Sequence, residues 1–428
     1  MTPLHFSQPL WRRPPRALFA GEPISSPERV DLTVVGGGLQ GLSAAYAAAR
    51  RGLSVRVIEA RELGEGASGL NGGQVIAGLK QDPDWLLQHF GQTRGGALID
   101  FAAGAADAVF DLIQTEGLDV EHVRSGWIQA AHTPAALAAA EERNRQWRAR
   151  GADVMLLNGA EVALLTGASG YLGGWLDRRG GTIDPLAFVF ELARLATQSG
   201  ARIATATRAI GLRSEGADWL VDTSAGYPVT SRSVVVATNA YSDRLVAGLA
   251  RSLLPLHSFQ IATAPLPPDL RETILPHGQA VSDSRRIVVY YRKSPDGRLV
   301  LGGRGRMAEP KSEADWVHLQ RAMVRLFPAL EGVTVEHRWF GRVAMTPDHF
   351  PHVHEPERGL LAVAGCQGRG VGLMTALGPR LVDYIQSGDP AALPFPLTPI
   401  RPIPFHSLRA LGVGVTIAWY RMLDGLEG

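Results

Sequence analysis

Residues 30–41, VDLTVVGGGLQG, decide the fold. Val30 to Val35 is a short β-branched run, the composition of a buried strand. Gly36 to Gly41, GGGLQG, interrupts it, and the small-residue run LSAAYAAARRG continues to Gly52 with the composition of a helix. SVRVIEA, Ser54 to Ala60, is strand-like again. Strand, glycine turn, helix, strand is a βαβ unit, and a parallel strand pair needs such a crossover. Gly36 turns the chain sharply out of the strand, Gly38 lets a pyrophosphate approach the backbone, and Gly41 lets the helix pack on the strand. The helix opens at Leu39 and Gln40, where free N–H groups and the helix dipole favour an anion. Glu59, 18 residues after Gly41 and followed by Ala60, ends the second strand, where an acid accepts hydrogen bonds from a ribose 2′-OH. The cofactor expected from this unit is an adenine dinucleotide, FAD or NAD.

Outward from this unit, a second glycine-rich stretch, LGEGASGLNGGQ, runs from Leu63 to Gln74. A nicotinamide enzyme does not need it. Small residues and backbone amides at Ser68, Asn71, Gly72, Gly73 and Gln74 suit contact with pyrophosphate, ribityl chain and flavin ring. Residues 98–115 and 134–150 carry alanine and leucine at helical spacing. Residues 201–212, ADWLVDT and SRSVVVATNA are strand-like. Residues 285–302 form a hairpin pattern around Pro295-Asp296-Gly297. GLLAVAGC, residues 359–366, is a buried-strand pattern that enters GCQGRGVG, residues 365–372, and MTALGPRLVDYIQSG after it has a helical pattern. The nucleotide-binding sheet is therefore expected to start the chain, be interrupted, and be completed near residue 370.

With 428 residues the chain is long enough for two domains. Its 45% hydrophobic and 20% charged residues are those of an ordinary globular protein. A formal net charge of +2 without a basic block argues against nucleic acid as a partner. One cysteine, Cys366, makes no internal disulfide, so a reducing cytoplasm is the expected setting. The N-terminus lacks the apolar core of a secretory signal and is expected to be a Pro/Arg-rich surface arm. LRALGVGVTIAWYRML, residues 408–423, holds two arginines and is shorter than the ~20 residues that span a bilayer. It is expected to be a packed helix, with peripheral membrane contact as the alternative.

VVGGGLQGLSAAY, VIEA and GASGLNGGQ resemble FAD-dependent oxidoreductases related to D-amino-acid oxidase and sarcosine oxidase, and within them are most similar to gamma-glutamylputrescine oxidases. The resemblance runs from about Asp31 to the end, with GGTIDPLAF, VVVATNAY, YYRKSPDGRLVLGG, WFGRVAMTPDHFP and AGCQGRGVGL in the family's order. It implies an α/β fold. A discontinuous Rossmann-like FAD-binding domain of the glutathione-reductase type takes residues 28–84, 181–246 and 357–390. An α+β substrate domain with a mixed or antiparallel sheet takes 85–180 and 247–356. Residues 1–27 form an arm and 391–428 a C-terminal tail and helix. The strand around Arg208 and Ala209 passes the adenine in the family, which makes Ala209 a candidate contact. Ala237 and Thr238 end a strand near the cofactor. Gly341 fills the position where sarcosine oxidases attach flavin through a cysteine, so noncovalent FAD and an inert Cys366 are implied.

The resemblance further implies oxidation of a C–N bond in an amine or N-substituted amino acid. Hydride passes to flavin N5, the imine is hydrolysed, and O2 is the expected acceptor, giving H2O2. Only the neutral amine has the free electron pair that assists hydride loss, so no dedicated base is required. Tyr291 matches the family's substrate-lining tyrosine, and strand alternation then turns Arg292 to the other face. The family's SGHG is here QGRG, Gln367 to Gly370. Arg369, a fixed cation, either stabilises anionic reduced flavin, clamps a substrate carboxylate, or points away to pair with an acid. Arg369 and Tyr291 are the candidate catalytic residues, and Gly368, Gly370, Val371 and Gly372 the candidate flavin contacts beside them. Leu70 replaces the family's arginine, which moves the expected substrate from a polyamine toward an acid. Val300 stands where many family oxidases carry an oxygen-reactive lysine, and the chain's lysines are Lys80, Lys293 and Lys311. A dehydrogenase feeding a quinone or carrier, and a non-catalytic FAD-binding protein, remain alternatives. His349, His352 and His354 alternate with Pro351 in a loop-like stretch, and no metal site is expected there.

Overall fold

The computed structural model describes residues 9–12 and 19–426. The strand Glu28–Val35 pairs in parallel with Val55–Ile58 on one side and Val229–Val236 on the other. Val55–Ile58 pairs onward with Arg202–Ala204, also in parallel. Val229–Val236 divides its free edge. Its first half meets Asp218–Thr223 antiparallel, and its second half meets Leu360–Ala364 in parallel. Ala209–Glu215 and His352–Glu357 complete this eight-stranded sheet at its edges. Leu32, Val34 and Val57 are buried, as expected for parallel strands covered on both faces.

The second eight-stranded sheet runs in the order Val335–Met345, Leu254–Thr263, Leu299–Arg304, Val289–Lys293, Ala280–Asp283, Trp127–Ala131, Gly173–Asp177 and Val154–Asn158. Its pairs are antiparallel except Ala280–Asp283 with Trp127–Ala131. Gln74–Val75, Gly181–Ile183 and His122–Val123 form a small third sheet between them in sequence.

Three sequence expectations change. His352–Glu357, read as the end of the substrate segment, instead pairs antiparallel with Leu360–Ala364 in the first sheet. Its histidines and proline hid a strand that closes through Gly359, whose φ is +83°. Residues 201–212 are two strands at opposite ends of the first sheet, separated at Ala206, where φ is 50°. The described part of the N-terminal arm is only partly on the surface: Arg12 is exposed, but Leu10 and Trp11 are 1% and 4% exposed. At the other end, Arg409–Leu426 is a helix with Ile417 buried and Trp419 and Met422 exposed. No described helix is long and apolar enough to cross a membrane.

Candidate cofactor and substrate site

The glycine turn after Glu28–Val35 has no room for side chains. Gly36 has φ +109°, and a β-carbon on it would lie 3.1 Å from the carbonyl oxygen of Ala237. Ala237 N–H in turn donates to Val35 O at 2.8 Å, which ties the two strand ends together. A β-carbon on Gly41 would stand 2.0 Å from Gly36 O, and one on Gly38 2.7 Å from Ser68 Oγ. Ser68 Oγ accepts the Leu39 N–H at 3.1 Å. Gly38 caps the helix Leu39–Arg50 without a side-chain hydrogen bond. That helix N-terminus is a ready anion site. Glu59 accepts from Gly37 N–H at 2.7 Å and from Arg61 N–H at 3.0 Å, beside exposed Ala60. Burial pushes its pKa up despite those bonds.

Asn71 organises the second glycine stretch. Its amide Nδ2 donates to Ala67 O and Ser68 O, and its Oδ1 accepts the Gly73 N–H at 2.8 Å. A β-carbon on Gly72 would lie 2.9 Å from the Tyr290 ring. Gln74 turns its side chain to the second sheet, donating to Val281 O and Tyr291 O and accepting from Ser282 Oγ. Only its backbone remains for a cofactor.

The motif at 365–372 brings in a second helix. Gly365, Gln367 and Gly368 have φ of 84°, 54° and 80°, and Gly370–Ser387 follows with Arg369 at its N-cap and no side-chain cap. A β-carbon on Gly372 would be 2.9 Å from Ala105 O, and one on Gly370 3.2 Å from the Cys366 β-carbon. These two glycines are therefore required by protein neighbours, whereas Gly368 faces open space. Val371 is buried. The two glycine-started helices pack backbone to backbone. A β-carbon on Gly378 would be 2.6 Å from Ala44 N, and Ser43 Oγ donates to Thr375 O at 2.7 Å. Neither N-cap residue supplies a side-chain cap, and both N-termini follow the strands that flank Val229–Val236.

Register decides which side chains face the glycine stretch. Tyr290 is paired with Ser282 and Gly302, and Ser282 with Gln129. Tyr290 and Arg292 approach the glycine stretch, Tyr290 through Gly72 and Arg292 through hydrogen bonds to the Gly72 and Gly73 carbonyls. Tyr291 alternates to the opposite face. It is fully buried, its ring 5.3 Å from Phe327, in the apolar core of the second sheet. The sequence had this pair reversed, because residue identity at two adjacent tyrosines carries no information about which face is which. Tyr290 hydrogen-bonds Ser258 Oγ at 2.8 Å.

Arg369 is half-buried and reaches from the N-cap of Gly370–Ser387 to Trp127 of the second sheet. Its Nη1 donates to Ala77 O at 3.0 Å, and its guanidinium carbon lies 5.3 Å from the Trp127 ring centroid. Trp147 packs beside it across Gly78. Among the described residues no carboxylate pairs with it. Asp82 and Asp177 lie in its field but are held by Arg143 and Arg179. Burial first, then Arg143, pushes its pKa down to about 9, so it is a cation at neutral pH.

The remaining expected contacts separate. Thr238 Oγ1 bonds Ser242 Oγ, next to Ala237 and Gly36. Ala209 packs into an apolar cluster with Trp219 and Val221. The segment that reaches the Glu59 end is two residues earlier, where Thr207 N–H donates to Glu59 O and Ala206 N–H to Arg61 O. A β-carbon on Gly341 would lie 3.3 Å from the Leu70 β-carbon, with no nucleophile between them. Sequence reading missed Asn239, whose φ is 43° and whose Oδ1 accepts the Gly365 N–H at 3.0 Å, and Trp11, whose Nε1 donates to Asn71 O at 2.9 Å.

Buried polar atoms without a partner test whether a dinucleotide fits. Gln40 Nε2, in the first turn of the helix Leu39–Arg50, and Gln260 Oε1, beside Gly72, are such atoms. Each unmade bond costs about 1–3 kcal/mol, and FAD carries donors and acceptors along its whole length. With the side-chain-free turn and two open helix N-termini, the residues present fit the cofactor.

Comparison with known proteins agrees. A probable oxidoreductase, OrdL, of Rhizobium meliloti is 31% identical over 369 residues, 85% of this chain and 84% of its own. Gamma-glutamylputrescine oxidoreductase of Escherichia coli is 30% identical over 401 residues, 92% of this chain and 93% of its own. Among solved structures, glycine oxidase from Geobacillus kaustophilus shares the fold, with a TM-score of 0.71 at 23% identity over 88% of this chain and 99% of its own. Residues 31–384 match the family described as FAD dependent oxidoreductase. With that span and those relatives, the chain belongs to the FAD-dependent oxidoreductase family.

Proposed function

We propose that this chain oxidises a C–N bond of a small amine that also carries a carboxylate, such as an N-substituted amino acid. Bound FAD supplies the hydride acceptor, at N5. The observation that carries the substrate class is Arg369, a cation held over Trp127 in the cleft with no acid partner among the described residues. A substrate carboxylate placed there meets the planar guanidinium fork. The same charge disfavours a second cation nearby, which shifts the substrate amine toward its neutral form. That form has the electron pair that assists hydride loss. Trp127 and Trp147 stand beside the guanidinium and Tyr290 beside Gly72, so the apolar part of such a substrate would meet aromatic surface. Hydrolysis of the released imine then yields a carbonyl compound.

With O2 as acceptor the second product is H2O2. A second reading, electron transfer to a quinone or carrier, is favoured at Val300 and Lys293, whereas Lys80, in the field of Arg369, keeps an oxygen-reactive lysine in play. Val300 is 1% exposed in the second sheet, and Lys293 Nζ is tied to the carbonyls of Arg271 and Ile274.

Anaerobic bleaching of the purified holoprotein tests both. N-methyl amino acids, D- and L-amino acids, gamma-glutamylated amines and polyamines are the panel. Bleaching by carboxylate-bearing amines is expected, and bleaching by polyamines alone refutes the substrate class. Admitting air then separates peroxide formation from its absence. Tightly held flavin that no amine reduces leaves a non-catalytic FAD protein.

A further inference from the structure

The turn at residues 70–73 is held from behind, one carbonyl after another. Leu70 O accepts from Trp339 Nε1 at 2.9 Å and Gln260 Nε2 at 2.6 Å. Asn71 O accepts from Trp11 Nε1 at 2.9 Å, across 60 residues of sequence. Gly72 O and Gly73 O accept from Arg292 Nη1 at 3.5 and 3.3 Å. The donors also brace one another. Trp11 meets Trp339 edge to face with centroids 6.2 Å apart, and the Arg292 guanidinium lies 5.1 Å from the Trp11 ring centroid. Arg12, next in the arm, pairs with Glu65 at 3.3 Å in the same glycine stretch.

A trans peptide points its C=O and the following N–H in opposite directions. A carbonyl of Asn71 held toward the arm therefore turns the Gly72 N–H away from it. We infer that Trp11 is a positioning residue for FAD: by holding the Asn71 carbonyl it aims the Gly72 N–H at the cofactor. The arm is then part of the cofactor site, through a residue that lies far in sequence from the glycine turn that identifies that site. This inference rests on the FAD reading and adds to it a residue outside the matched span of 31–384.

Trp11→Phe keeps an aromatic ring against Trp339 and Arg292 but removes the donor. FAD affinity, measured by quenching of free-flavin fluorescence, is expected to weaken about three- to tenfold, the worth of one hydrogen bond to a carbonyl. The visible maxima of the bound flavin are expected to shift as well. Val162→Ala, which cuts packing in the core of the second sheet and away from the arm, should lower the melting temperature and leave affinity and spectrum unchanged. A Trp11→Phe protein that matches Val162→Ala in all three readouts overturns the inference.

The wild-type chain gives a test that does not depend on a variant folding. If arm docking favours FAD binding, FAD must favour arm docking by the same factor. Trypsin cleavage after exposed Arg12 should therefore slow about three- to tenfold when FAD is added to apoprotein, and equal rates refute the coupling. Wild-type protein that binds no FAD sinks the cofactor reading itself. Wild-type protein that binds FAD with no effect of the arm sinks only the role of Trp11.

Discussion

Arg369→Met separates a substrate clamp from a structural brace, because the two roles predict opposite signs. Methionine keeps the unbranched stem against Trp127 and removes the charge. On the stability side, the variant loses one charge-assisted hydrogen bond to Ala77 O, worth about 1.5–3 kcal/mol. It also loses a cation–π contact of about 0.5–2 kcal/mol. Against this, it relieves the burial of a cation that no carboxylate neutralises, a cost of several kcal/mol that solvent on the open side of the cleft reduces. The terms nearly cancel, so the melting temperature should stay within a few degrees of wild type. On the binding side, a carboxylate loses its charged partner. At about 1.5–3 kcal/mol per charge-assisted bond, the dissociation constant of an acidic amine rises roughly ten- to hundredfold. Neutral amines of the same size should bind as before, or slightly better. Anaerobic titration of flavin absorbance with matched acidic and neutral amines measures both constants, and differential scanning measures stability. Equal weakening of both ligands, or a large fall in melting temperature with no ligand discrimination, refutes the clamp.

Gly41→Ala places a methyl 2.0 Å from Gly36 O and should leave the purified chain without flavin after gel filtration; full flavin retention would contradict the geometry. Tyr290→Phe removes the hydroxyl bonded to Ser258 on the cleft face and should change turnover or the apparent KM. Tyr291→Phe lies in the core of the second sheet and should change stability by roughly 1 kcal/mol with kinetics near wild type. Reversed outcomes for this pair would restore Tyr291 to the site. Glu59 has its pKa raised by burial in the folded chain. Folded apoprotein then binds its proton more tightly than the unfolded chain, so stability falls as pH rises from the ordinary glutamate value through the raised one. Glu59→Gln should flatten that part of the urea-stability profile, and parallel profiles would show that Glu59 is not the titrating group.

What could be read from the chain alone depended on whether an interaction is local. The βαβ unit is local. Gly36, Gly38, Gly41 and Glu59 lie within one strand–helix–strand passage, and steric demands there dictate residue type directly. The hairpin around Pro295-Asp296-Gly297 is local too, and it forms as Val289–Lys293 with Leu299–Arg304. Which tyrosine faces the cleft is not local. The face is set by the register of Val289–Lys293 against Ala280–Asp283 and Leu299–Arg304, and a one-residue error inverts it. The break at Ala206 is likewise not local, and it is Thr207, two residues before Ala209, that hydrogen-bonds the Glu59 backbone. Trp11 was the least visible of all. A tryptophan in a Pro/Arg-rich arm has the composition of a surface segment, and only the carbonyl of Asn71 gives it a task.

Arg369 lies between these cases, and it shows how a departure from a family pattern acquires meaning. Sequence alone allowed flavin stabilisation, carboxylate binding or an ion pair with an acid. The last of these does not occur among the described residues, since Asp82 and Asp177 already have Arg143 and Arg179. The glycines around it divide in the same way. Gly370 and Gly372 accommodate Cys366 and Ala105, so two of the motif's glycines are explained by helix packing and not by a ligand. Gly368, with positive φ and open space where a side chain would be, is the glycine that leaves the cleft accessible next to the arginine. A cation without a counter-ion, beside a residue that keeps the approach clear, is costly to hold in an apolar cleft unless an anion arrives to offset it. That cost is the physical reason to expect a carboxylate on the substrate.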